Sequence, residues 1–447
     1  MRTTYRLLCV LLVLAFSVGF AQAQDDLSSV DPSGQTVVYW HQFSDAQLET
    51  MTAIVNDFNT TNEWGITVEA VAQGNYNDIR ELMNAGIISG ELPNLVAGFG
   101  NDGASYFRDG AAVDLNTYVM DATWGLSEED MAGLVPGILD ANAQTSAPFN
   151  GELLAWPHQF SAQVMVSNQT LLSALGYDAP PTTVEEFIEV SCAAANSTGP
   201  NGEDVQGFPI TTDPSLFESF VANQGGAIFA DGAYTFTSEP VIASFQLYKD
   251  LYDQGCGYIP AERFAEQTDF SLGLTPYIAT STAGFTFVVA AFEESGVDAE
   301  LVVSTFPHTE GNEALQIFVP SIIMVPSTPE VQLASWLFLK HLTTVDPAAQ
   351  WTEGTGYFNP VAATAPLLTE ENFYRADIFP LFSAANSFLS NEAISTYTGP
   401  QVVSYGAVRG LVSEAIANVT SNGMDVMEVA EALNEAANAA HEESIAG

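Results

Sequence analysis

Six residues, GFGNDG at positions 98–103, have the spacing G-x-G-x-x-G. In that pattern, backbone without side chains can wrap a dinucleotide's pyrophosphate at the start of a helix. The preceding LPNLVA reads as a strand, so the local setting fits. The wider order does not. A pyrophosphate fingerprint belongs to the first strand of its unit, with an acidic residue closing the second strand. Here the glycines follow a third strand, and the next stretch, ASYFRDGAAVDL, supplies neither the strand nor the acidic cap. The glycines are expected instead to let backbone come close to some other bound solute, and no cofactor is expected.

Residues of catalytic type are sparse in pattern. No G-x-S-x-G, H-E-x-x-H or S-x-x-K occurs. The five histidines are scattered, and His441 in AHEES has no second histidine at helical spacing, so no metal site is expected. Neighbouring acids such as Glu185–Glu186 and Glu293–Glu294 do not face one another on a helix. Folding can still pair distant carboxylates, so a secreted carbohydrate-active enzyme stays as an alternative.

The N-terminus and the charge narrow the setting. Arg2 and Arg6 precede the apolar run LLCVLLVLAFSVGF and then Ala21-Gln22-Ala23. A basic start, a short apolar stretch and A-x-A make a signal peptide over residues 1–23, cleaved before Gln24. About 14 apolar residues are too few to span a bilayer. Cys9 lies inside the run, a poor place for lipid attachment. The mature protein is expected to be soluble and exported, periplasmic or extracellular. Against 55 acidic residues stand 9 basic ones, a net charge of −46, which the loss of Arg2 and Arg6 takes to −48. Such a surface repels phosphates, nucleic acid and anionic lipid. It suits a saline or an acidic exterior, since many carboxylates are neutral in acid; both remain open.

A chain of 447 residues exceeds one ordinary core, so two domains are expected. After the polar lead, TVVYW reads as a strand, and Ser44 with Gln47 reads as a capping box opening a helix through Phe58. GITVEAVA is a second strand, Asn77 caps a second helix ending before Pro93, and NLVAGF is a third strand. This order predicts a parallel sheet with right-handed crossovers. WHQF, QGNYND and GFGNDG then fall together outside its carboxyl ends, where ligands sit. Further helices open at Thr183–Glu186 and Thr328–Pro329, and AELVVSTFPHT and LQIFVPSIIMV read as strands. At the C-terminus, Met424, Met427, Ala430, Leu433 and Ala437 make a stripe read as core packing. Cys192 and Cys256 are an even pair in an oxidising compartment, which points to a disulfide; two buried free thiols are the alternative.

With these segments in order, the chain resembles the extracellular solute-binding proteins of ABC importers, in the branch that handles carbohydrates and glycerol-phosphate compounds. The resemblance is carried by VVYWHQFS, GNYNDI, LPNLVAGF, GELLAWPHQFSAQVMVSN, LGYDAPPTTVEEF, NQGGAIF, SWLFLKHL and WTEGTGYFNPV, over nearly the whole mature chain. It implies an α/β, two-lobed, type II periplasmic-binding-protein-like fold with a hinge and an interlobe cleft. The chain would cross between lobes near Trp156–Gln159, Thr305–His308 and Tyr357–Asn359. Lobe one would comprise 35–156 and 307–357, and lobe two 157–306 and 358–447. The implied function is capture of a small solute for a membrane permease, by a monomer that is not an enzyme and has no nucleic-acid partner.

By the same resemblance, the cleft would be lined by Trp40, His41, Tyr76 and Asn101 on lobe one, and by Gln159, Phe160, Ser161, Asp213, Ser281 and Phe285 on lobe two. Tyr357 would stand at the third crossing. Aromatic faces and hydrogen-bonding groups in this mixture suit a sugar. Relatives that take glycerol-phosphate have a glycine pair and a basic residue. Here Val319 and Pro320 replace the pair, GPQVVSYG contains no base, and Arg409 lies one helical stretch further on. The expected solute is therefore neutral, a mono- or oligosaccharide first, with polyols and glycerol-phosphate compounds as alternatives.

Overall fold

The structure, a computed structural model, describes residues 27–145, 148–199, 202–262 and 264–446. The expected signal segment lies outside them.

Strand β1 (Thr36–His41) lies between β2 (Thr67–Ala72) and β3 (Leu95–Gly98), parallel to both. Strand Ser321–Met324 returns from far along the chain to pair antiparallel with β3, giving four strands. Helices α1 (Asp45–Thr61), α2 (Tyr76–Ser89) and α3 (Gly100–Arg108) follow β1, β2 and β3 in turn. Alternation along β1 turns Val37, Tyr39 and His41 into the core and leaves Trp40 half-buried on the other face. Met51, Ile54, Val55 and Phe58 of α1 cover that core at helical spacing.

Helix starts differ from expectation in two places. The cap of α2 is Asn75, whose Oδ1 accepts the Asn77 and Asp78 N–H groups at 2.8 and 3.3 Å, so Asn77 lies inside the helix and Tyr76 is its first residue. Ser44 stands at the cap of α1, but its side chain makes no capping bond. The Thr183–Glu186 box forms as expected.

A second sheet is built around Ser161–Asn168, buried at all eight positions. It pairs antiparallel with Tyr277–Ser281, Leu301–Ser304 and Ala314–Phe318, and the last also pairs with Ser395–Tyr397. Residues 314–318 therefore belong to the second sheet, and the chain reaches the first only at Ser321. Val319–Pro320, which includes a residue without a backbone N–H, lies between these two pairings, whereas Thr305–His308 precedes the strand that joins the second sheet. Isolated backbone pairs join Trp156 to Ile322 and Phe160 to Phe358.

One core lies under the first sheet and includes Trp156, Trp336 and Trp351; two lie around the second. Leu134 and Ile138 pack into one of the latter, so residues 134–138 lean on lobe two. Cys192 and Cys256 are joined by a disulfide across a separation of 64 residues. The C-terminal stripe is shifted. Helix Val426–Ala446 buries Val426, Val429, Ala430, Leu433 and Ala437, while Met424 and Met427 are exposed. Met424 precedes the helix, and Met427 points away from the buried face.

Candidate functional site

The carboxyl ends of β1, β2 and β3 and the N-termini of α1, α2 and α3 share one edge of the first sheet. Tyr76 opens α2, and its ring centroid lies 4.9 Å from that of Phe99. Its phenol oxygen is buried without a partner. Burial, then the neighbouring Tyr357, Tyr39 and Asp102, hold its pKa well above the usual value. Tyr357 is half-buried, stacked on Trp351 at 6.0 Å, and burial pushes its phenol up to about 12. Beside them Arg80 Nε donates to Asp102 Oδ1 at 2.7 Å and Nη1 donates to Asn77 at 2.7 Å. Asp102 also accepts the Phe99 N–H at 2.9 Å, so one carboxylate caps α3 and holds the guanidinium.

Lobe two presents a second ion pair to this edge. Asp213 caps helix Pro214–Asn223, accepting the Ser215 N–H at 2.7 Å. Arg409, on helix Tyr405–Val419, lies 3.7 Å from Asp213 and donates to Ser215 Oγ at 2.8 Å and Tyr405 Oη at 3.2 Å. Arg80 and Arg409 are close enough to repel each other. Behind Arg409, Tyr405 donates to Glu218, and Gln316 Nε2 donates to the other Glu218 oxygen at 3.1 Å. Burial raises the Glu218 carboxyl to about 7, opposed by the Tyr405 hydrogen bond and the Arg409 charge. Ser281 Oγ donates to Ser161 Oγ at 3.3 Å and accepts the Ala283 N–H at 3.1 Å.

Several residues expected at the cleft are held in packing. His41 is fully buried, stacked on Phe43 at 5.1 Å, and desolvation lowers its pKa to about 4. Gln159 spends its carbonyl on the Trp351 indole N–H at 2.9 Å. Phe160 is paired with Phe358 through backbone, with ring centroids 5.3 Å apart. Phe285 is fully buried in a lobe-two core. Asn101 is the second residue of α3 and nearly buried. Tyr76, Tyr357 and Trp40 are half-buried, and Asp213 is exposed.

Sequence reading missed Arg80–Asp102, Glu218, Tyr405 and Gln401. One signal was available. Bases are so rare in this chain, 9 in all, that any pair of them is informative. Arg409, expected one helical stretch beyond the site, lies 3.7 Å from Asp213. It stands four residues after Tyr405, hence on the same helix face.

The opening glycines now have a physical role. A Cβ on Gly103 would lie 2.8 Å from the Leu154 carbonyl oxygen, and one on Gly100 would lie 2.5 Å from Gln401 Oε1 of lobe two. They permit close packing of neighbouring segments. Among the described residues no group of three or more His, Cys, Asp or Glu is placed to hold a metal ion, and no helix is long and apolar enough to cross a membrane.

Comparison with known proteins gives the same architecture. The GacH receptor of Streptomyces glaucescens GLA.O, solved unliganded and with acarbose, is 17% identical, with a TM-score of 0.75 over 92% of this chain and 99% of that one. The cyclic α-maltosyl-1,6-maltose binding protein of Arthrobacter globiformis is 16% identical, TM-score 0.72, covering 91% of this chain and 99% of its own. An ABC transporter solute-binding protein of Agrobacterium radiobacter K84, in complex with ribitol, is 20% identical, TM-score 0.68, covering 93% and 99%. At such identities the likeness is one of fold, two-lobed and α/β. No curated protein sequence matches the chain. The family model for bacterial extracellular solute-binding proteins matches residues 53–378. Most of the described chain is thus covered, and the protein belongs to the bacterial extracellular solute-binding protein family.

Proposed function

We propose that this protein captures a neutral, hydroxyl-rich solute, a mono- or oligosaccharide first, between its lobes and delivers it to an ABC permease. Lobe one would comprise residues 35–156 and 320–357, and lobe two the remainder. The observation that carries the reading is the paired rim. Half-buried Tyr76 and Tyr357 offer ring faces to C–H surface, while Arg80–Asp102 and Arg409–Asp213 offer donors and acceptors from opposite lobes. Because each arginine already has a carboxylate partner, the rim adds little positive charge, which favours a neutral solute over a phosphate. Solute contacting both lobes stabilises their closed arrangement, the state a permease would read. The neighbours named above bind acarbose, a cyclic maltosyl-maltose and ribitol, which supports sugars and polyols as the class to test.

The protein acts as a monomeric receptor and not an enzyme on this reading. Among the described residues, the contact of Ser404 Oγ with His441 Nδ1 at 3.0 Å is buried, and Ser404 Oγ also pairs with the Tyr234 hydroxyl, as structural groups do. It joins two C-terminal helices.

Two results test the reading. Glucose, maltose, maltotriose and ribitol are each added to the mature protein, and at least one raises its melting temperature, because a ligand of the folded state alone stabilises it. NAD and ATP leave it unchanged. A rise with either nucleotide and none with the four neutral compounds would reverse the assignment. Tyr357→Ala then weakens affinity for the binding sugar by about 1–3 kcal/mol, the range for a well-packed aromatic anchor. An unaltered affinity beside a much lower ligand-free melting temperature would show that Tyr357 only packs the hinge.

A further inference from the structure

Side chains from both lobes converge on a single glycine. Gln401 lies in the segment leading into helix Tyr405–Val419, and Val402, Tyr405 and Val408 root that segment in a lobe-two core. Asn142 and Gln144 lie on the other side. Asn142 Nδ2 donates to Ser321 Oγ at 2.7 Å, and Gln144 Nε2 donates to the Gly100 carbonyl at 3.2 Å. A Cβ on Gly100 would lie 2.5 Å from Gln401 Oε1, 3.0 Å from Asn142 Oδ1 and 3.2 Å from Gln144 Nε2. Three amides are thus gathered around one Cα at the start of α3.

Their hydrogen bonding is one-sided. Gln401 Nε2 donates to the Gly399 carbonyl at 3.0 Å, so all three NH₂ groups are engaged. The oxygens Asn142 Oδ1, Gln144 Oε1 and Gln401 Oε1 are buried and have no partner. Asn142 is 1% and Gln144 0% exposed, so water does not reach them freely. Buried acceptors in this condition are costly. The first-turn N–H groups of a helix, which have no intrahelical acceptor, lie alongside. A group that both donates and accepts fits this combination, and a hydroxyl does so. A hydroxyl brings one proton, enough for one of the three oxygens, and its own oxygen accepts from an N–H; an ionised carboxylate brings none, and a hydrocarbon serves neither set.

We propose that Gly100, Asn142, Gln144 and Gln401 form a subsite, assembled from both lobes, that takes one hydroxyl of the bound solute. The inference rests on the solute-capture reading above and sharpens it to a hydroxyl-specific contact. Since Gln401 belongs to lobe two, the subsite is complete only when the lobes are together, and the hydroxyl is recognised by the closed form. A solute lacking that hydroxyl leaves the amides unpaired, which is the strongest kind of polar rejection.

The test uses glucose, maltose, maltotriose and ribitol as parents, with monodeoxy analogues of whichever parent binds. Calorimetry is run on the wild type, Gln144→Leu and Gln401→Ala. One deoxy analogue should bind the wild type about tenfold or more weakly than its parent, yet bind Gln144→Leu as well as the parent does. Gln401→Ala, at a half-buried position, should lose about tenfold for the parent with its ligand-free melting temperature unchanged. If every analogue loses as much affinity in both variants as in the wild type, the subsite is refuted while solute capture stands. Binding of none of the four parents would refute both.

Discussion

Replacing Cys192 and Cys256 together by alanine lowers the stability of lobe two by about 4 kcal/mol, on the chain-entropy account of a closed loop of this length. The bond joins helix Val184–Ala195 to the turn after helix Glu239–Asp253, across 64 residues of chain. Both cysteines contact the same lobe-two core, with Cys256 3% exposed. Cutting the cross-link therefore frees a large part of that lobe's unfolded chain while leaving the native packing almost unchanged. For a lobe of roughly 250 residues, a loss of this size corresponds to a fall of about 8–16 °C in melting temperature. Differential scanning calorimetry of the double variant reads it directly. A melting temperature within a degree of the wild type would show that the bond constrains nothing the fold does not already hold.

A second large effect follows from Glu218. Its carboxyl is 4% exposed and is raised from 4.5 to about 7 by burial, against the Tyr405 hydrogen bond and the Arg409 charge, with Asp213 adding to the rise. Between those two pH values the folded protein keeps a proton that the unfolded chain has released. Stability from this group is therefore full below about pH 4.5 and is lost as pH rises through 7. The loss is about 3 kcal/mol. Glu218→Gln cannot ionise, so it should lose less stability than the wild type between pH 4.5 and pH 8. The general repulsion of so acidic a surface acts on both proteins alike, and the difference isolates one side chain. Urea unfolding at the two pH values measures it; parallel curves for the two proteins would contradict the assignment.

The sequence made some of this legible and hid the rest for physical reasons. The β1–α1–β2–α2–β3 stretch was readable because its strands are β-branched and its helices have a clear apolar period, whereas α3, opened by the glycines, was not. The disulfide was readable because only two cysteines, Cys192 and Cys256, follow the N-terminal apolar run. Alternation in β1 settled which residue faces inward, and His41 was on the buried side of it, which a list of cleft-compatible residue types does not reveal. Gln159 and Phe285 were misjudged in the same way. Their types suit a binding site, but Trp351 and a lobe-two core claim them. Gln401 and Gly100 stand 301 positions apart, so no local pattern could join them. The same holds for the split of LQIFVPSIIMV between two sheets, which only the pairings of 317–318 with 161–162 and of 321–324 with β3 reveal.

The account stands or falls on whether a sugar-like solute is held and released unchanged. Titration calorimetry of the mature protein with glucose, maltose, maltotriose and ribitol, followed by recovery of the solute and its mass, addresses both parts. The account predicts one saturable site for at least one of them, recovered solute of unaltered mass, and binding weakened roughly 5- to 150-fold by Tyr357→Ala. No saturable binding by any of the four, or a recovered solute that has been cleaved, would contradict it.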